Sequence, residues 1–270
     1  FDFIIVGQGI AGSSFAFNLL RKNKSFFLVD KLNSFSSSRV ALGVYNPVIL
    51  KWYTLPWHIE NQLNHFFKFY SEYEQFFKLK IIYDVGIYKY LHTNFEQSNW
   101  LTKSLRLPHL LSTDLHILNK ENLVNKKSYG LINCSGRINV SKFLDSFRNF
   151  CSENNFLDNS QFDYDQLKIC KKIVEYKNIK ASNIIFCEGS AASNNPYFDS
   201  LKLKPTKGEI LDVQFQNYNF KSIIHSNLLF VPKKNNLYSV GSTYDWLDKS
   251  DLVTPNAKLK IQSVIKKTIN

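Results

Sequence analysis

Three glycines, Gly7, Gly9 and Gly12, stand in the spacing G-x-G-x-x-G, here GQGIAG, and an acid, Asp30, closes the next apolar run. Each glycine has its own task in a dinucleotide-binding turn. Gly7 permits the tight bend, Gly9 lets the backbone approach a pyrophosphate, and Gly12 lets helix and sheet pack closely. The helix that opens there offers free N–H groups and positive dipole to the phosphates. Asp30 would then accept hydrogen bonds from the adenosine ribose hydroxyls. The glycines alone are a weak signal, because a tight strand-to-helix turn with no ligand uses them too. Strand, turn, helix and acid in register favour binding.

The elements that must position these residues are legible on either side of them. Phe1 to Val6 (FDFIIV) is an apolar run suited to a buried parallel strand. Phe15, Ala16, Leu19 and Leu20 recur at helical spacing until the basic residues Lys22 to Lys24, which suit the negative end of a helix. Phe26 to Val29 is a second buried strand. A simple nicotinamide enzyme would continue alternating helices and strands from here. Instead a serine-rich loop, Asn33 to Ser38, leads through Gly43 to Pro47 and to a long aromatic helix over about Leu55 to Phe77. Its rings, from Phe66 to Phe77, read as core packing. Val85 to Leu91 reads as a strand, a short helix holds Trp100 and Leu101, and Ser112 to Tyr129 reads as loops and short elements. Helical spacing returns at Val140 to Cys151. Ile184 to Cys187 is a buried strand closed by Glu188 and Gly189. Strands follow around Ile210 to Phe215, Leu228 to Val231 and Leu237 to Val240, then a helix from about Asn256. The interruption after Asp30, the return at Ile184 and the lack of a second glycine fingerprint point to FAD over NAD.

Composition bounds the rest. With 270 residues, 44% hydrophobic and 21% charged, the chain has the balance of a globular protein with a sizeable core. The formal charge of +12 comes from lysines scattered along the chain. The densest run, Lys168, Lys171 and Lys172, reads as a solvated face, and no nucleic-acid partner is expected. Cys134, Cys151, Cys170 and Cys187 form no C-x-x-C pair and read as reduced structural thiols. The six histidines show no metal-ligand spacing, so no metal is expected. No apolar run approaches a membrane span and no signal peptide opens the chain, which reads as cytoplasmic. A chain that starts at Phe1 and contains no Met reads as a fragment of a longer protein.

Five ordered blocks carry a family resemblance: IIVGQGIAG through Asp30, SSSRVALGVYNP (Ser36 to Pro47), IIFCEG (Ile184 to Gly189), PTKGEIL (Pro205 to Leu211) and LLFVPKKNNLYSVGSTYDW (Leu228 to Trp246). Together they resemble the D-amino-acid oxidase and glycine oxidase (DAO-type) family of FAD-dependent oxidoreductases. The resemblance implies an α/β fold. A Rossmann-type FAD-binding domain with an interrupted parallel sheet (1–50 and 130–204) would be interleaved with an α+β antiparallel-sheet substrate domain (51–129 and 205–270). It implies that Gly7, Gly9, Ile10, Ala11 and Gly12 meet the pyrophosphate, that Asp30 meets the ribose and that Lys31 lies beside the adenosine. Ser37, Ser38, Arg39 and Gly43 would line the flavin, although Arg39 reads equally as a solvated loop cation. Gly189 would sit where a Cβ crowds the cofactor, or at an ordinary strand-end turn.

The resemblance departs at the C-terminal end, where the family continues into a G-x-R-P-like segment and a last strand and helix. The expectation is a C-terminally truncated, inactive pocket that binds FAD weakly or not at all, with no catalytic residue to name. Tyr244 and Asp245 read as an exposed strand end sooner than as substrate contacts. The implied activity is oxidation of a C–N bond of an amino acid or secondary amine by hydride transfer to flavin, with the electron acceptor open. The alternatives are a flavin-dependent hydroxy-acid dehydrogenase, a modifier of tRNA-linked amines, or a non-catalytic dinucleotide-binding protein.

Overall fold

The computed structural model describes residues 1–117, 128–216 and 218–269. The chain divides into two compact units, Phe1–Ala41 with Val140–Pro205, and Leu42–Asn139 with Thr206–Asn270. Residues 42–50 and 130–139, expected in the dinucleotide unit, belong instead to the second. The cause is a small antiparallel sheet in which Val44–Tyr45 and Ile82–Tyr83 flank Gly136–Ile138, pairing segments far apart in sequence.

The first unit is built on a parallel sheet in the order Asn183–Phe186, Phe3–Val6, Phe26–Val29, Leu157–Asp158. Side chains alternate across it, as the two-residue strand period requires. Ile4, Val6, Phe27 and Val29 pack with Leu167, Val174, Tyr176 and Ala181 of a three-stranded antiparallel meander. Phe26 points the other way and stacks on Phe147 at 6.2 Å. Phe147 also meets Phe17 edge-on at 6.4 Å, so the helices Ile10–Arg21 and Val140–Glu153 share one aromatic layer on that face. The strand at Asn183–Phe186 is the return expected from the sequence.

The second unit contains a seven-stranded sheet in the order Ile210–Gln214, Leu237–Gly241, Leu229–Pro232, Ile223–His225, Ile87–Tyr90, Ser128–Ile132, His116–Ile117. Every pairing is antiparallel except that of Ile223–His225 with Ile87–Tyr90. Two cores lie on its two faces. Ile87, Ile132, Ile223 and Val231 pack with Trp100 and Tyr53, while Ile224, Phe230, Tyr238 and Val240 pack with Ile261 and Ile269 of the Pro255–Ile269 helix. Trp100 lies on the Asn94–Ser104 helix, whose start is fixed by a capping box of Thr93 and Glu96. Its ring lies against Gly130, where any Cβ would overlap the indole. The long aromatic helix runs over Ile59–Phe77 and starts later than its apolar pattern suggests, because His58 is left-handed at φ 49°. Residues 118–127 of the stretch read as loops and short elements lie outside the described residues. The serine-rich loop ends in a helical turn, Ser37–Val40.

His225 stands beside Lys89 across the parallel pair, and its Nδ1 is buried with no hydrogen-bond partner. Burial, with Lys89 and His92 nearby, pushes the imidazole down to about 4. An unfolded histidine titrates near 6.5, so between about 6.5 and 4 the unfolded chain binds the extra proton and stability falls as pH falls. The expected acid loss is at most about 1.4 kcal/mol per pH unit from this group. Urea midpoints at pH 7 and pH 5 check it: His225→Leu should flatten the dependence, and an unchanged slope would refute the assignment. Gly130→Ala should destabilise the chain by about 3 kcal/mol through overpacking against Trp100, with partial recovery in Gly130→Ala/Trp100→Leu, both read from urea unfolding.

Candidate functional site

The Phe3–Val6 strand ends at Gly7, whose φ of +97° is disfavoured for any residue with a Cβ. A Cβ there would also overlap the Cys187 carbonyl oxygen, and one on Gly12 would overlap the carbonyl oxygen of Gly7. These two glycines are required by backbone lying on backbone. Gly9 differs. Its added Cβ would meet only Ser38 within 4 Å, at 3.1 Å from Oγ, so the space above it is held open on its remaining sides. Gly189 is open: its φ is +57° and, among the described residues, nothing lies within 4 Å of an added Cβ. The hydrogen bond from the Cys187 amide to the Val6 carbonyl, at 2.7 Å, ties this returning segment to the fingerprint turn.

Between these open positions the Ile10–Arg21 helix begins with neither a side-chain cap from Gly9 nor an acid in its first turn. Ile10 and Ala11 are exposed there. Ser38 Oγ accepts the Ile10 amide at 3.1 Å, which places the Ser37–Val40 turn against the helix start. Ser37 is exposed, as is Lys31. Arg39 is no solvated cation. Its Nη1 donates to Asp145 at 2.6 Å, its side chain is 14% exposed, and its Nη2 is buried with no acceptor. A helix start with no acid in its first turn and one side-chain acceptor, Ser38 Oγ, an open glycine at Gly189 and a buried donor lacking an acceptor fit an anionic dinucleotide. Gly43 belongs to the second unit, where its φ is +68° and its carbonyl accepts the Ile138 amide.

Asp30 follows the second strand as expected, and its amide donates to the Asp158 carbonyl at 3.0 Å. Its carboxylate is partly engaged by the protein itself. The Gln8 amide donates to Oδ1 at 2.9 Å and Arg148 Nη1 to Oδ2 at 2.8 Å. Arg148 and Gln8 carry no signature in the sequence. Gln8 fills an unspecified position of the fingerprint, and Arg148 is one cation on a helix whose apolar face is its visible feature.

Glu188, at the end of the returning strand, is held by the Tyr164 hydroxyl and by Asn195 Nδ2, the latter at 2.6 Å. Burial, then the bond to Glu188, raises the Tyr164 phenol above its ordinary range. Burial, then Glu188, likewise raises the Cys187 thiol, which keeps it protonated and poorly nucleophilic. Asp245 Oδ1 accepts the amides of Leu247 and Asp248, a turn cap beside the 76%-exposed Tyr244. Among the described residues no group of three or more His, Cys, Asp or Glu is arranged to hold a metal ion, and no helix is long and apolar enough to cross a membrane.

Solved structures share this fold at low sequence identity. Glycine oxidase from Geobacillus kaustophilus superposes with a TM-score of 0.75 at 13% identity, covering 99% of this chain and 78% of that one. Iminodiacetate oxidase from Chelativorans gives 0.74 at 15% identity, over 98% and 78% of the two chains. L-α-glycerophosphate oxidase from Mycoplasma pneumoniae, with FAD bound, gives 0.71 at 18% identity, over 99% and 78%. The sequence profile of the DAO family, described as FAD dependent oxidoreductase, matches residues 2–269. A match over that length, together with a fingerprint turn whose glycines are either packed by backbone or left open, makes this chain a member of the DAO family of FAD-dependent oxidoreductases.

Proposed function

We propose that this FAD-dependent oxidoreductase oxidises a C–N bond of a small amino acid or secondary amine. The reading is carried by an acid-free helix start beside Gly9 and the open Gly189, in a chain whose family uses FAD. The named activities of glycine oxidase and iminodiacetate oxidase, which share the fold, supply the donor class. When bound, FAD supplies a two-electron acceptor for hydride from the substrate carbon.

The chain's own residues bind and orient that group. Gly7, Gly9, Ile10, Ala11 and Gly12 bring the turn and the first N–H groups of the helix to the pyrophosphate. Asp30 accepts the ribose hydroxyls, and Lys31 stands beside the adenosine. Ser37, Ser38, Arg39 and Gly189 serve the remainder of the cofactor, with the unmatched Arg39 Nη2 as a donor to an anionic oxygen. The 1–41 and 140–205 unit is thus the FAD-binding part, and the second unit is the substrate part.

Two experiments test this. Acid extraction and chromatography of the purified protein should recover FAD, and a panel assayed with a redox dye should reduce it with glycine, sarcosine-like secondary amines or other amino acids. Turnover confined to hydroxy acids or glycerol phosphate would replace the donor class while leaving the cofactor assignment intact. Gly9→Val should weaken FAD binding at least about tenfold, read by fluorescence quenching, with the far-ultraviolet spectrum retained because, among the described residues, an added Cβ meets the Ser38 side chain alone. Unchanged affinity would remove Gly9 from the site.

A further inference from the structure

Arg148 projects from the Val140–Glu153 helix and spends both terminal guanidinium nitrogens on three separate chain segments. Nη1 donates to Gln8 Oε1 at 3.0 Å and to Asp30 Oδ2 at 2.8 Å. Nη2 donates to the Asp30 carbonyl at 3.0 Å and to Asn159 Oδ1 at 2.6 Å. The side chain is 11% exposed, so the fork is nearly dry. Gln8 is fixed from its other side as well, since its Nε2 donates to Ser13 Oγ and to the Leu144 carbonyl, both at 3.0 Å. With 3% exposure the amide cannot turn without stranding a buried donor or acceptor.

The consequence falls on Asp30. An ionised carboxylate has about four acceptor positions. The Gln8 backbone N–H uses one on Oδ1 and Arg148 one on Oδ2, which leaves a position on each oxygen of an acid whose side chain is 22% exposed. Two adjacent free acceptor positions suit the vicinal hydroxyls of a ribose. We infer that Arg148 is a positioning residue for the adenosine end of the cofactor, clamping Asp30 and Gln8 in the one arrangement that presents both carboxylate oxygens to a cis-diol. The inference rests on the proposed contact of Asp30 with the ribose. A lysine offers three donors from one atom where the arginine makes four contacts from two nitrogens of a planar fork, so it cannot keep all four.

The test is a ligand-by-residue cycle on the complete chain freed of flavin. Calorimetric titration gives the affinities for ADP and for 2′,3′-dideoxy-ADP, which differ only in the diol. Wild type should prefer ADP by at least about tenfold, the worth of one to two hydrogen bonds. Arg148→Met should reduce that preference to within about twofold, and Arg148→Lys should fall between. A purely structural role would weaken both ligands equally and keep the ratio, which overturns the inference. Wild type showing no preference would instead overturn the ribose contact of Asp30 on which it rests, and Asp30→Asn with the wild-type ratio would do the same. Should Arg148→Met not fold, Arg148→Lys decides: a reduced ratio at a near-native thermal midpoint supports the clamp, and a wild-type ratio refutes it.

Discussion

The first unit depends on three stretches of backbone meeting with no side chain between them. The carbonyl of Gly7 lies against Gly12, and the carbonyl of Cys187 lies against Gly7. A clash between side chains can be relieved by a new rotamer, whereas a clash of Cβ on a carbonyl oxygen requires the chain to move. These contacts hold the Asn183–Phe186 strand and the Ile10–Arg21 helix against the end of Phe3–Val6. The parallel order of the sheet, the placing of Asp30 and the opening of the helix all follow from that junction.

Gly9 and Gly189 obey a different rule. Among the described residues only the Ser38 side chain reaches the space a Cβ would take at Gly9, and none reaches that at Gly189, where the φ of +57° itself favours glycine. Charge around this space is arranged consistently. The helix start holds no acid, and Glu188 is tied to Tyr164 and Asn195, which keeps its charge engaged where a free carboxylate would repel a pyrophosphate.

What could be read from the sequence was local. The Phe3–Val6 and Phe26–Val29 strands announce themselves as apolar runs, and the Val140–Glu153 helix by Phe143, Leu144, Phe147 and Cys151 on one face. The fingerprint glycines were legible because steric need fixes both residue type and spacing. The unit boundaries were not, since Val44–Tyr45 and Ile82–Tyr83 are two-residue strands with no period to detect. Trp57 continues the apolar pattern of the long helix, yet the left-handed His58 starts it later. Arg148 was hidden for another reason. Its partners Asp30 and Gln8 lie 118 and 140 residues away, and no local pattern encodes such a meeting.

The strongly basic balance of the chain also takes its meaning from pairing. On the segments that build the cradle, Arg39 is engaged by Asp145 and Arg148 by Asp30, while Lys177 and Lys180 are engaged by Asp158 and Glu175. Apart from one nitrogen of Arg39, the arginines do not offer free charge to a phosphate. In the proposed site, recognition of the pyrophosphate would fall to backbone N–H groups and the helix dipole, whose strength depends on the geometry of the turn and little on net charge. On these segments the paired cations hold carboxylates and loops in place, and the proposed anion site is made from the positions with the least side chain.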